Sequence, residues 1–117
     1  MNQEDVEKIE KIIKDRNETD EKLRDFDSKV YKAFLNMEKH TYSNGYLKKI
    51  YKELIAIGIS IIIDCESCME WHIKEALKSG ASKNQILETI EVAIEMGGGP
   101  ATVSTRFALK VLEYYNI

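Results

Sequence analysis

The chain has 117 residues, enough for one domain and one core. Its 17 basic and 20 acidic side chains give a net charge of -3, the wrong sign for a protein that binds nucleic acid by neutralising phosphates. One proline and six glycines, three of them consecutive, supply too little turn chemistry for the hairpins of an all-β fold, so an all-α single domain of about six helices is expected.

From the N-terminus, Val6, Ile9, Ile12 and Ile13 form one apolar stripe, and acid-before-base pairs at i,i+4 such as Glu4/Lys8 and Glu7/Lys11 line the solvated side. Asn17 to Asp20 reads as a break. A second amphipathic helix follows, carrying Phe26, Val30, Ala33, Phe34 and Met37. Residues 1–45 are expected to be N-terminal helices of the same domain, and residues 46–117 its core. Thr41 to Gly45 is a turn cluster, after which a third helix starts near Tyr46 or Leu47 and runs through Ile50 and Leu54 into an apolar block. That block is hydrophobic on every side, which predicts a central, buried helix.

A fourth helix opens at Cys65 and stops at Gly80. Ser82 and Gln85 form a capping box for a fifth helix, whose apolar face is supplied by Ile86, Leu87, Ile90, Ala93 and Ile94. Gly97, Gly98 and Gly99 end it, and Pro100 at a first-turn position starts a sixth with Val103, Phe107, Val111 and Leu112. The N-terminus lacks the basic start and apolar run of a signal peptide, and Leu54 to Ile63 is about half the length of a membrane-spanning helix. A cytoplasmic location is therefore expected, with neither membrane nor nucleic acid as a partner. In that reducing setting a CxxC is more often redox-active or metal-binding than structural.

The candidate site is Glu53, then Cys65-Glu66-Ser67-Cys68, then His72. At about 100° per residue, positions 65, 68 and 72 share one stripe of a helix, so two sulfurs and an imidazole converge. Cys65 falls at the helix N-terminus, where free N–H groups and the helix dipole favour thiolate. Cys68 lies one turn from His72, which can take its proton or stabilise its charge. If the third and fourth helices form an antiparallel hairpin, a rise of about 1.5 Å per residue puts Glu53 and His72 within roughly 4 to 5 Å of each other along the axis. Glu53 would then hold or protonate His72, and His72 would serve Cys68. Desolvation is expected to raise the pKa of Glu53. His40 reads as a surface residue and Trp71 as a packing residue; Glu66, Ser67 and Glu70 flank the thiols.

The stretch KELIAIGISIIIDCESCMEWHIKEALKSGASKNQILETIEVAIEMGGGPA resembles the AhpD-like alkylhydroperoxidases of the carboxymuconolactone decarboxylase superfamily. The shared pattern is a glutamate, a CxxC starting twelve positions on, a histidine four after the second cysteine, a KxGA-like turn and a glycine-rich break; Glu53, Cys65, Cys68 and His72 match it position by position. The resemblance implies an all-α fold assembled as a trimer or hexamer, and a cofactor-free thiol peroxidase. In it Cys68 attacks the hydroperoxide, Cys65 resolves it as a disulfide, Glu53 and His72 relay protons, and a dithiol or protein reductant closes the cycle. One departure is Ser67, where better-known alkylhydroperoxidases carry a second histidine. Decarboxylase-like members lack the CxxC, which argues against lactone decarboxylation here. Two other readings stay open: a zinc site using Cys65, Cys68 and His72 with Glu53 or His40 as fourth ligand, and an assembly module whose CxxC is idle.

Overall fold

The computed structural model describes residues 1–115, which form five helices and no strand. The last two residues of the 46–117 core expected from sequence lie outside the described ones. The helices are α1 (Gln3–Asp25), α2 (Lys29–Thr41), α3 (Lys49–Ile62), α4 (Glu66–Lys78) and α5 (Lys83–Tyr115). The expected fifth and sixth helices are the two halves of α5. They are separated by a break at Gly98, whose φ of 64° and ψ of -144° belong to no helix. The capping box that starts α5 is present: Ser82 N–H donates to Gln85 Oε1 at 2.9 Å and Gln85 N–H to Ser82 Oγ at 3.0 Å.

Three helices end in the same hydrogen-bonded device. A residue in the left-handed region follows the last turn, and the two N–H groups at the turn fold back onto carbonyls of that turn. At the end of α4 the residue is Gly80, with Ala81 N–H donating to Ala76 O at 2.9 Å. At the ends of α1 and α3 it is an aspartate, Asp27 with φ 58° and Asp64 with φ 54°. Aspartate tolerates this conformation better than most side chains do. These two aspartates, not glycines, set where α1 and α3 turn.

The structure corrects the expected break at Asn17–Asp20: α1 runs unbroken through it to Asp25. The few tenths of a kcal/mol by which asparagine, threonine and aspartate disfavour helix are outweighed by local pairing across the segment. Arg24 Nε donates to Asp20 Oδ2 at 2.9 Å, and the Tyr31 hydroxyl on α2 donates to Asp20 Oδ1 at 2.5 Å.

The core is built by α3, α4 and both halves of α5, with Ile57, Ile61, Met69, Ile73, Ile86 and Val111 fully or almost fully buried. From α1 only Ile9 is fully enclosed, and α2 has no buried residue. The third helix is central, as expected, packing against both α4 and α5, but only part of its surface is enclosed. One face of α3 packs into this core, while Tyr51, Ile55, Ile59 and Ile62 present the other face to solvent, each 47–55% exposed.

The break at Gly98 lets α5 approach the C-terminal end of α3 very closely. A Cβ built on Gly97 would lie 2.7 Å from both Ala101 Cβ and Ile62 Cδ1. The Gly97–Ser104 segment also lines a shallow groove of about 420 Å³ with Ile61, Ile62 and Asp64, beside the turn that leads into the cysteines. From α5, Ser104 Oγ donates to Asp64 Oδ1 of that turn at 2.8 Å. Replacing Gly98 with alanine places a side chain in a backbone region reserved for glycine, at a cost of about 1–3 kcal/mol. Thermal unfolding of Gly98→Ala should show a drop in Tm of several degrees; an unchanged Tm would mean that the break tolerates L-residue geometry.

Candidate active site

The turn at Asp64 fixes the register between α3 and α4. Cys65 N–H donates to Ser60 O at 2.9 Å and Asp64 N–H to Ile61 O at 3.2 Å, which reverses the chain within a few residues and makes Cys65 the N-cap of α4. The Cys65 sulfur accepts from the Cys68 N–H at 3.2 Å, the position usually taken by a serine or aspartate oxygen. The two cysteines are joined as a disulfide, with Cα atoms 5.2 Å apart. Both are partly exposed.

The same register brings Glu53 of α3 against His72 of α4. Nδ1 of His72 lies 2.7 Å from Glu53 Oε1. Glu53 is 1% exposed, and its other oxygen accepts from Lys49 Nζ at 2.7 Å. Burial pushes this carboxyl upward, but the hydrogen bonds from His72 and Lys49, with their charges, outweigh it and hold Glu53 below the usual glutamate value. The expected upward shift is thus reversed. The cause is Lys49, one turn earlier on the same helix, whose part in the site the sequence reading did not anticipate.

An ionised Glu53 can only accept a hydrogen bond, so Nδ1 of His72 carries a proton. Nε2 is then the nitrogen free to exchange protons, accepting when the ring is neutral and donating when it is charged. Glu53 orients and supports this imidazole; it is not itself a proton source near neutral pH. His72 lies one helical turn beyond Cys68.

A further residue closes the site from outside the α3–α4 hairpin. Tyr42, the C-cap of α2, lays its ring against His72 with centroids 5.1 Å apart and planes tilted by 39°. Burial, reinforced by the charges of Glu53 and Glu38, raises the pKa of Tyr42 and keeps it protonated. Nothing in the TYSNG turn signals this contact, because it depends on how α2 folds back. Lys49, by contrast, could have been found from its i,i+4 spacing to Glu53.

The remaining flagged residues fall elsewhere. His40 is exposed near the end of α2, and Trp71 is half-buried on another side of α4. Among the described residues no three His, Cys, Asp or Glu side chains are grouped to hold a metal ion, and the two sulfurs are bonded to each other, so the zinc reading has no ligand set in this conformation.

Since Glu53 binds its proton more weakly in the folded than in the unfolded chain, its stabilising contribution is fully present above the unfolded carboxylate pKa. It is lost as pH falls through the lower folded value. Melting temperatures measured between neutral pH and pH 3 should fall less steeply for Glu53→Gln than for the natural chain. Parallel curves would mean that Glu53 is not held ionised by Lys49 and His72.

Comparison with known proteins agrees with this architecture. Residues 28–111 match the model of the carboxymuconolactone decarboxylase family. An uncharacterised protein encoded in a cox locus of Paracoccus denitrificans is 41% identical over 81 residues, covering 69% of this chain and 73% of that one. A second uncharacterised protein, from Cupriavidus necator, is 34% identical over 84 residues, covering 72% of each. Among solved structures, an apo carboxymuconolactone decarboxylase family protein of Legionella pneumophila superposes with a TM-score of 0.89 at 29% identity, covering 94% of this chain and 98% of that one. A family protein of Thermotoga maritima, described as a candidate for the antioxidative response, superposes with a TM-score of 0.82 at 28% identity, covering 91% and 90%. With the family pattern matched over most of its length and the fold shared throughout, the chain belongs to the carboxymuconolactone decarboxylase family.

Proposed function

We propose that this chain is a thiol-dependent hydroperoxide reductase that cycles the Cys65–Cys68 disulfide. The observation that carries the reading is the contact of 2.7 Å between Glu53 and Nδ1 of His72, on the helix whose first turn holds both cysteines. It leaves the outer nitrogen of the imidazole for proton transfer at the thiols. The antioxidative description of the Thermotoga maritima relative points the same way.

In the reduced chain His72 takes the proton of Cys68. The thiolate attacks the outer oxygen of the hydroperoxide; the O–O bond breaks, the sulfur becomes a sulfenic acid, and the alkoxide leaves as alcohol with the proton from His72. Cys65, whose thiolate is stabilised by the N–H of Cys68 and the helix N-terminus, attacks the Cys68 sulfur. The disulfide forms and the hydroxyl leaves as water, taking back from solvent the proton that Cys65 released when it ionised. A dithiol reductant then returns two electrons and two protons. No bound cofactor enters this cycle.

The acting unit is proposed to be a homo-oligomer, a trimer or hexamer. Val30, Phe34 and Met37 on α2 are exposed by 49–83%, Phe26 at the C-cap of α1 is 80% exposed beside the start of α2, and α3 exposes a second apolar stripe of Tyr51, Ile55, Ile59 and Ile62. A helix of 13 residues with nothing buried gains little from its own chain, and a second copy covering these stripes supplies the missing apolar contact.

Peroxide consumption driven by a dithiol should fall at least a hundredfold in Cys68→Ser and about a hundredfold in His72→Asn. Cys65→Ser should stop after one turnover with a sulfenic acid that reacts with dimedone. Full turnover in Cys68→Ser would refute the assignment, and thiols inert to peroxide would favour an idle CxxC in an assembly module. Sedimentation should give an oligomer that Ile59→Glu disperses; a monomeric natural chain would rule the assembly out.

A further inference from the structure

Another face of α4 carries a polar cluster that the chemistry above does not use. Glu70 is fully buried, with 0% of its surface exposed. Its Oε1 accepts from Arg16 Nη1 at 2.5 Å and its Oε2 from the hydroxyl of Tyr115. A buried carboxylate needs such donors. The other arm of the guanidinium, however, reaches past it to the redox motif. Arg16 Nη2 donates to Ser67 O at 2.8 Å and to Ser67 Oγ at 2.9 Å, and Ser67 lies between the two cysteines.

The Arg16 guanidinium carbon also lies 5.3 Å from the centre of the Trp71 ring, against which Lys74 Nζ packs at 4.1 Å. Two hydrogen-bonded arms and an aromatic neighbour hold the fork in one orientation, which a flexible lysine would not reproduce. Of the other charges at the head of α4, Lys8 is paired with Glu66 at 2.9 Å.

We infer that Arg16 is a positioning residue for the dithiol, and that the Arg16–Glu70 pair sets how oxidising the Cys65–Cys68 couple is. Arg16 pins the residue next to Cys68 and fixes a positive charge there. Positive charge near a dithiol favours its thiolate, which stabilises the reduced form and makes the disulfide more oxidising. Glu70, behind the guanidinium, tempers that charge. Arg16 and Glu70 therefore act on the couple with opposite signs. This rests on Cys65 and Cys68 being a cycling redox pair, and it does not depend on a hydroperoxide being the oxidant.

The test is the equilibrium of the full chain with dithiothreitol at pH 7, without peroxide. The reductant's thiolate breaks the Cys65–Cys68 bond, the mixed disulfide resolves to cyclic oxidised dithiothreitol, and two electrons pass to the chain. One thiol and one thiolate remain, with the second proton released to buffer.

Arg16→Gln should make the disulfide about fivefold harder to reduce, which is about 20 mV at the two-electron conversion of about 30 mV per tenfold. Glu70→Gln, which keeps a hydrogen-bonding side chain, should make it about fivefold easier to reduce. Arg16→Lys keeps the charge and loses the two-armed hold on Ser67, so it should fall between the natural chain and Arg16→Gln. If Arg16→Gln loses its helical circular dichroism, the signs for Glu70→Gln and Arg16→Lys decide. Shifts in the same direction for Arg16→Gln and Glu70→Gln, or none, overturn the inference, because a pair that only fastens α1 to α4 produces no opposition of sign. A natural disulfide that does not exchange with dithiothreitol overturns the redox reading itself and this inference with it.

Discussion

A carboxylate on the core side of an apolar helix has to be compensated where it lies, because water cannot reach it. Glu53 is such a group, and the α3–α4 arrangement meets its demand on both oxygens: Lys49 from its own helix and His72 from the next. This couples fold to site. The pair of 2.7 Å exists only if α3 and α4 run antiparallel in one register, and that register is set by the Asp64 turn, whose last residue is Cys65. The disulfide, the imidazole and the buried carboxylate are thus parts of one hairpin.

α4 serves two masters on different sides. Toward α3 it presents His72 to Glu53. Toward α1 and the end of α5 it presents Glu70 to Arg16 and Tyr115. Both buried carboxylates are neutralised by cations from segments earlier in the chain, Lys49 and Arg16. The N-terminal helix contributes a single enclosed apolar side chain, Ile9, so much of its specific attachment is polar and directed at the first turn of α4.

Much of this was legible in the sequence where the signal was local. The stops at Gly80 and Gly97–Gly99, the capping box at Ser82 and the stripe of Cys65, Cys68 and His72 each follow from spacing within one helix or turn. The proximity of Glu53 to His72 followed from helix rise once a hairpin was assumed. What escaped was of two kinds. Asp27 and Asp64 end helices in a conformation associated mainly with glycine, whereas propensity alone points to a stop at Asn17–Asp20, which α1 runs through. Tyr42, Arg16 and Tyr115 reach the α4 side chains across long stretches of chain, and no periodicity encodes such a contact. The ionisation of Glu53 does not follow from burial alone, because Lys49 and His72 outweigh the desolvation.

The exposed faces of α2 and α5 also carry thioethers. Met37 is 57% and Met96 75% exposed. Under the peroxide chemistry proposed above, a chain that handles oxidants offers them its own methionine sulfurs as competing targets, and sulfoxide formation would turn an apolar docking stripe polar. Packing α2 against another copy would shield Met37 from that damage, so assembly would protect the very surface through which it forms.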